Sequence, residues 1–146
     1  MSEVQARSIA ALLGVKPKTP IFSSLDLANE VGRGLSVDAV DRLCSVIAPA
    51  EPALRYRIVA KATLARRQKT AEQRLSRDES DRLARLARLW AFALNVWGSE
   101  AAARRFLAEP HPLLRGRVPR EVATETEVGA RAVEELLGRL KYGSAA

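Results

Sequence analysis

The chain has little of what small enzymes and secreted domains are usually built on. It holds one cysteine, Cys44, and one histidine, His111, in 146 residues. A lone cysteine excludes an internal disulfide, and one Cys with one His leaves no ligand set for a structural metal, so a reducing cytoplasm is the expected setting. No apolar run approaches the roughly 20 residues needed to span a bilayer, and the amino end lacks the zones of a secretory leader, so no membrane role is expected. Aromatics make up only 5%, and none interleaves with the basic stretch around Lys61–Lys69, which argues against stacking on single-stranded nucleic acid. No segment sustains the alternation of a strand. Nothing resembles a phosphate loop, a nucleophile triad or a metal cluster. The chain is therefore read as no enzyme, with no catalytic residue, metal or cofactor.

What is present is helical. Hydrophobic residues, rich in Ala and Leu, make up 47% and charged ones 28%, a globular balance. The net charge of +7 points to an anionic partner, with nucleic acid favoured over a merely solubilising surface.

A first helix is expected over Val4–Leu13, stopped by Gly14, followed by the linker Lys16-Pro17-Lys18-Thr19-Pro20. Ile21, Phe22, Leu25 and Leu27 would anchor what comes next. Met1 to Arg33 fits no recognisable pattern and is either an ordered lid or a flexible arm. From Leu35 the signals become regular. Ser36 would cap a helix carrying Val37, Val40, Leu43, Cys44 and Ile47, ended by Pro49. Glu51-Pro52 would open a second, buried through Leu54, Ile58 and Val59, and a third would begin near Ala62 or Thr63. These three have the lengths and tight connections of a helix-turn-helix unit. The third is the candidate recognition helix, with Lys61, Thr63, Arg66, Arg67, Gln68 and Lys69 outward and Leu64 and Ala65 inward.

Ser76-Arg77-Asp78-Glu79 reads as a capping box opening the longest helix, with a stripe of Leu83, Leu86, Ala87, Trp90, Leu94 and Trp97. Trp90 and Trp97 are expected in the core or in a dimer seam. Two further helices, Glu100–Leu107 and Glu127–Leu140, are joined by a Pro-rich turn and a short piece near Pro119. Glu134 and Glu135 would be solvated or paired with Arg131 and Arg139, and Gly138, inside the last helix, suggests a close helix approach or a partner contact there. The fold class is all-α. Its parts are an extension (1–34), a helix-turn-helix region (35–76), and a long shared helix with a small helical domain (77–146).

Two segments carry a family resemblance. Ala62-Thr63-Leu64-Ala65-Arg66-Arg67-Gln68 followed by Leu75-Ser76-Arg77-Asp78-Glu79-Ser80-Asp81-Arg82-Leu83-Ala84-Arg85-Leu86 resembles the regulator half of Xre/MbcA/ParS-type antitoxins. The block from Trp97-Gly98 to Tyr142-Gly143 resembles the toxin-binding half of that family. The resemblance covers roughly Leu35–Gly143 and implies an Xre-like type II antitoxin. Such proteins form homodimers, bind a RES-domain toxin that degrades NAD+, occlude its active site, and repress their own operon by binding double-stranded operator DNA. The implied DNA contacts are Lys61, Thr63, Arg66 and Arg67, to which Lys69 is added as part of the same basic surface. The implied toxin-facing residues are Arg117, Glu127, Arg139, Lys141, Tyr142 and Gly143. The rival reading is a stand-alone helix-turn-helix regulator whose last domain serves only to dimerise.

Overall fold

The computed structural model describes residues 1–71 and 73–143. Among them the chain is all helical: α1 (Glu3–Leu12), α2 (Ser24–Gly32), α3 (Asp38–Ile47), α4 (Arg55–Ile58), α5 (Lys61–Gln68), α6 (Arg77–Trp97), α7 (Glu100–Ala108), α8 (Pro119–Glu125) and α9 (Glu127–Tyr142). Single 3-10 turns at Pro52–Leu54 and Pro112–Leu114 precede α4 and follow α7. The chain divides into two compact units between Ala87 and Arg88, so the 21 residues of α6 are divided between them.

In the first unit the amino-terminal segment is ordered. Ser2 and Gln5 form a reciprocal capping box at α1, and Ala6, Ile9, Ala10 and Leu13 are buried. A second box, Ser23 with Asp26, opens α2, a helix the sequence reading left unassigned. These hydrogen bonds hold the Asp26 carboxyl below the usual range, the Ser23 backbone N–H contributing most and the Ser23 hydroxyl next. Phe22 and Leu27 are anchors as expected, but Ile21 and Leu25 are 73% and 68% exposed. Asp26 at the third helical position turns Leu27 and Val31 inward, which leaves Leu25 on the opposite side.

Helix α3 buries Val40, Leu43, Cys44 and Ile47 together with Val37, its cap residue. The Ser36 hydroxyl accepts the Asp38 N–H at 3.3 Å, so the turn is stabilised one residue later than expected. The loop before α6 is clamped onto the segment before α3. The Leu75 N–H donates to the Leu35 carbonyl at 2.8 Å, the Val37 N–H to the Gln73 carbonyl at 2.8 Å, and the Leu35 N–H to the buried Ser80 hydroxyl at 2.9 Å. The expected capping box opens α6: the Ser76 N–H donates to Glu79 Oε1 at 2.8 Å and the Glu79 N–H to the Ser76 hydroxyl at 3.2 Å.

In the second unit the expected stripe of α6 fades toward its end. Leu89, Trp90 and Ala93 are fully buried, Leu94 only partly, and Trp97 is 42% exposed. Helices α8 and α9 pack closely, and Ala123 on one and Ala130, Val133, Leu136 and Leu137 on the other are fully buried. Their approach depends on Gly129, where a Cβ would lie 2.3 Å from the Val122 carbonyl oxygen. Gly138, by contrast, faces open space, so the tight approach expected there occurs at Gly129. Gly129→Ala should therefore lower stability by about 2 kcal/mol or more by overpacking. Gly138→Ala should raise it by up to about 1 kcal/mol through helix propensity. Urea melts of the two variants should move in opposite directions.

Candidate functional site

Two surfaces emerge, one in each unit. The first is built on α4 and α5. Helix α4 ends at Ile58, and only Val59 and Ala60 separate it from α5. Both turn residues have negative φ, −135° and −55°, which explains how a tight turn forms there without glycine. Leu64 is the one buried residue of α5. Lys61, Ala62, Ala65, Arg66 and Lys69 are exposed, and their spacing puts them along one side of the helix. Ala65 was expected to point inward; it instead separates the basic side chains on the outer face, and Leu64 is the helix's one buried apolar anchor. The two alanines keep that face low, so the backbone can come close to a flat or grooved partner.

The basic residues of α5 are not equivalent. Arg67 is half-buried, and its guanidinium pairs with Glu79, the residue that caps α6. Thr63 is also half-buried, while Arg66 and Lys69 stand in solvent. Lys61 Nζ lies 5.7 Å from the ring centroid of Tyr56, an exposed aromatic the sequence reading did not single out. Its signal was available: an aromatic five residues before the start of the recognition helix in a chain with few rings. Between Glu51 and Ala87 ten Lys and Arg accompany five Asp and Glu. Most of the net +7 therefore lies in this stretch, where it would draw an anionic partner.

The second surface lies on α8 and α9. Arg88 organises its inner side: Nε donates to Glu134 at 2.7 Å and Nη2 to Glu127 at 2.8 Å. Burial pulls the guanidinium pKa down, but the hydrogen bonds and charges of the two carboxylates outweigh it and raise it above the ordinary value. Glu134 is thus held by Arg88, 46 residues away, rather than by Arg131 or Arg139, while Arg131 stands 3.9 Å from Glu127.

Helix α9 is 16 residues long, so Glu127 and Tyr142 sit about 22 Å apart along its axis. The six residues implied as toxin-facing are consequently not one cluster. Arg139, Lys141, Tyr142 and Gly143 share the carboxy-terminal turn. There the Lys141 ammonium donates to Asn95 Oδ1 and lies 5.5 Å from the Tyr142 ring, which is 77% exposed. Gly143 closes the helix with φ +67°, a left-handed cap that glycine adopts without strain. Arg117 belongs to the loop before α8, where its guanidinium meets Glu125 at 2.6 Å and its carbonyl accepts the His111 N–H at 3.1 Å. The Glu125 hydrogen bond holds the Arg117 pKa above its ordinary value. Glu127 opens α9 at the opposite end.

The geometry thus defines a two-part helical protein, one part presenting a basic helix after a tight turn and the other a helical pair with an exposed terminal turn. Comparison with known proteins agrees on both parts. Residues 26–88 match the model of the antitoxin Xre-like helix-turn-helix domain, a match that takes in most of α2. Residues 92–143 match that of the antitoxin Xre/MbcA/ParS C-terminal toxin-binding domain. The chain is 34% identical over 120 residues to an antitoxin Xre of Yersinia enterocolitica, covering 80% of this chain and 79% of that protein. It is 39% identical over 72 residues to an antitoxin Xre of Pseudomonas putida, covering 49% and 45%. The chain belongs to the Xre antitoxin family.

The Arg67–Glu79 pair should separate stability from binding. Arg67→Ala leaves a partly buried carboxylate without its cation and should cost about 1–2 kcal/mol, whereas Arg66→Ala in open solvent should cost under about 0.5 kcal/mol. Thermal melts monitored by circular dichroism would read the difference.

Proposed function

We propose that the chain neutralises a RES-domain, NAD+-degrading toxin by covering its active site with the carboxy-terminal domain. As a homodimer it would also repress its own operon through the α4–α5 unit, working in the cytoplasm where the operator lies. The observation that carries this reading is the pairing, in one chain, of a basic helix-turn-helix unit with a domain matching a toxin-binding model, whose last turn carries a tethered Lys141 beside an exposed Tyr142. Masking needs only fit and charge complementarity. Among the described residues no group of His, Cys, Asp and Glu could hold a metal ion, and no helix is long and apolar enough to cross a membrane. The RES class of the toxin follows from the sequence resemblance.

On the DNA side, Lys61, Arg66 and Lys69 would contact phosphate and base edges, with Thr63 beside them. Arg67 would act mainly by fixing α5 through Glu79. Arg66→Ala should weaken operator binding by about 5- to 100-fold, the range of one good Arg contact, and reduce the salt dependence by about one phosphate if that contact is to the backbone. Fluorescence anisotropy at several salt concentrations measures both.

On the toxin side, Arg117, Glu127 and Arg139 would form the rim, with Lys141, Tyr142 and Gly143 at the centre. Tyrosine with neighbouring cations is a typical interface anchor. The deciding experiment expresses the neighbouring open reading frame alone and together with this chain, following growth and cellular NAD+. NAD+ depletion prevented by co-expression is the expected result, and Lys141→Ala with Tyr142→Ala should lose the protection while retaining operator binding. Unchanged NAD+ with rescued growth would change the toxin's chemistry. Absence of toxicity would favour a plain transcription regulator.

A further inference from the structure

The second unit contains a pocket of about 290 Å3 that no assigned role uses. Three rings form its wall. Trp97 and Phe106 have centroids 5.8 Å apart at 38°, and Phe106 and His111 are 5.8 Å apart edge to face. Ala102, Pro110 and Leu140 complete the apolar lining. Every one of these residues lies within the stretch matching the toxin-binding domain, and Leu140 sits on the same helical turn as Lys141 and Tyr142.

Size limits the occupant. A cavity of about 150 Å3 already holds a benzene-sized molecule, whereas small-molecule and cofactor sites run from about 300 Å3 to 1,000 Å3. At about 290 Å3 the pocket stands at the foot of that range and has room for one large side chain. Its charge limits the occupant further. Arg105 and Glu109 both line it and are spaced as helix neighbours, yet among the described residues neither has an ion-pair partner. The helix ends at Ala108, and Glu109 is already extended at φ −101°, ψ 143°, outside the regular helical spacing that would pair it with Arg105. His111 Nδ1 accepts the Leu113 N–H at 3.1 Å, so in the neutral ring the proton sits on Nε2, available as a donor. Arg105 and the His111 Nε2–H are thus two donors beside an aromatic slot, and both suit a carboxylate.

We infer that this pocket receives a bulky apolar side chain of the toxin, flanked on the toxin by an acidic residue that meets Arg105. The inference rests on the toxin-binding reading above and names a contact within it. An aromatic slot beside an arginine is the kind of place where a few residues dominate affinity, because the anchor is desolvated while the charged rim sets orientation.

The test uses the full chain and the purified product of the neighbouring open reading frame, with affinity read by isothermal titration calorimetry. Ala102→Phe fills the slot and Arg105→Glu reverses its charge at an exposed position, so the second keeps the test valid where the first fails to fold. Each should weaken binding at least tenfold, with the Arg105→Glu melting curve near that of the parent chain. Binding within twofold of the parent for Arg105→Glu and for a folded Ala102→Phe overturns the inference. If Lys141→Ala with Tyr142→Ala still abolishes binding, the toxin-binding reading survives that result. A parent chain that does not bind overturns both. If Ala102→Phe instead turns a dimer into a monomer by sedimentation while toxin binding is unchanged, the occupant is a second copy of this chain and the inference fails.

Discussion

Glu79 belongs to two structures at once. Its Oε1 accepts the Ser76 N–H that starts α6, and its carboxylate holds the Arg67 guanidinium on α5. A helix start and the orientation of the basic helix therefore depend on one side chain. An unpaired N–H at a helix end and an unpaired, partly buried charge are both costly, so the arrangement in which Glu79 serves both is strongly preferred. The neighbouring connections reinforce it: Ser80 holds the Leu35 N–H and Arg82 donates to the Ile58 carbonyl at 2.6 Å, the residue at which α4 stops. The turn between α4 and α5 is thus fixed from outside, by α6, which is why it needs no residue with special backbone freedom.

This explains why the basic residues of α5 divide as they do. A short helix with one buried leucine has little apolar area to hold it, at roughly 1.5–3 kcal/mol for that side chain. Some of its charge must serve as anchor, and Arg67 does so. The remaining cations, on the other side of the helix, are left to meet a partner. In the second unit Arg88 plays the corresponding part, tying the half-buried Glu134 and the exposed Glu127 of α9 to α6.

The helices were legible where local rules decide them. The capping box at Ser76, the apolar period of α3 and the proline before α4 all act within a few residues, and so can be read directly. Helix α2 was missed because its box uses Asp26, a weaker signal than Glu or Gln, just after a Pro-rich stretch. Trp97 continues the period of Trp90 and Leu94, yet α6 runs past the end of the packed layer, and periodicity carries no information about where a core stops. The Arg88–Glu134 pair and the close approach at Gly129 join residues from different elements, which spacing along the chain cannot foretell. The two functional surfaces were legible as regions, through charge for one and resemblance for the other. Their internal division of labour was not, because it depends on which side of a helix meets another helix.

The last turn of α9 carries a further consequence. Asn95 holds Lys141, Lys141 lies against Tyr142, and Gly143 ends the helix in a fixed conformation. A terminal turn free to fray would have to be ordered each time it met a partner, at about 0.5–1.5 kcal/mol for each immobilised long side chain. Here much of that ordering is complete before any encounter. Among related interfaces such preorganisation shows mainly in the rate of leaving rather than of arrival. The tether on Lys141 thus favours a long-lived complex, and its lifetime would depend on an asparagine that itself need touch nothing outside this chain.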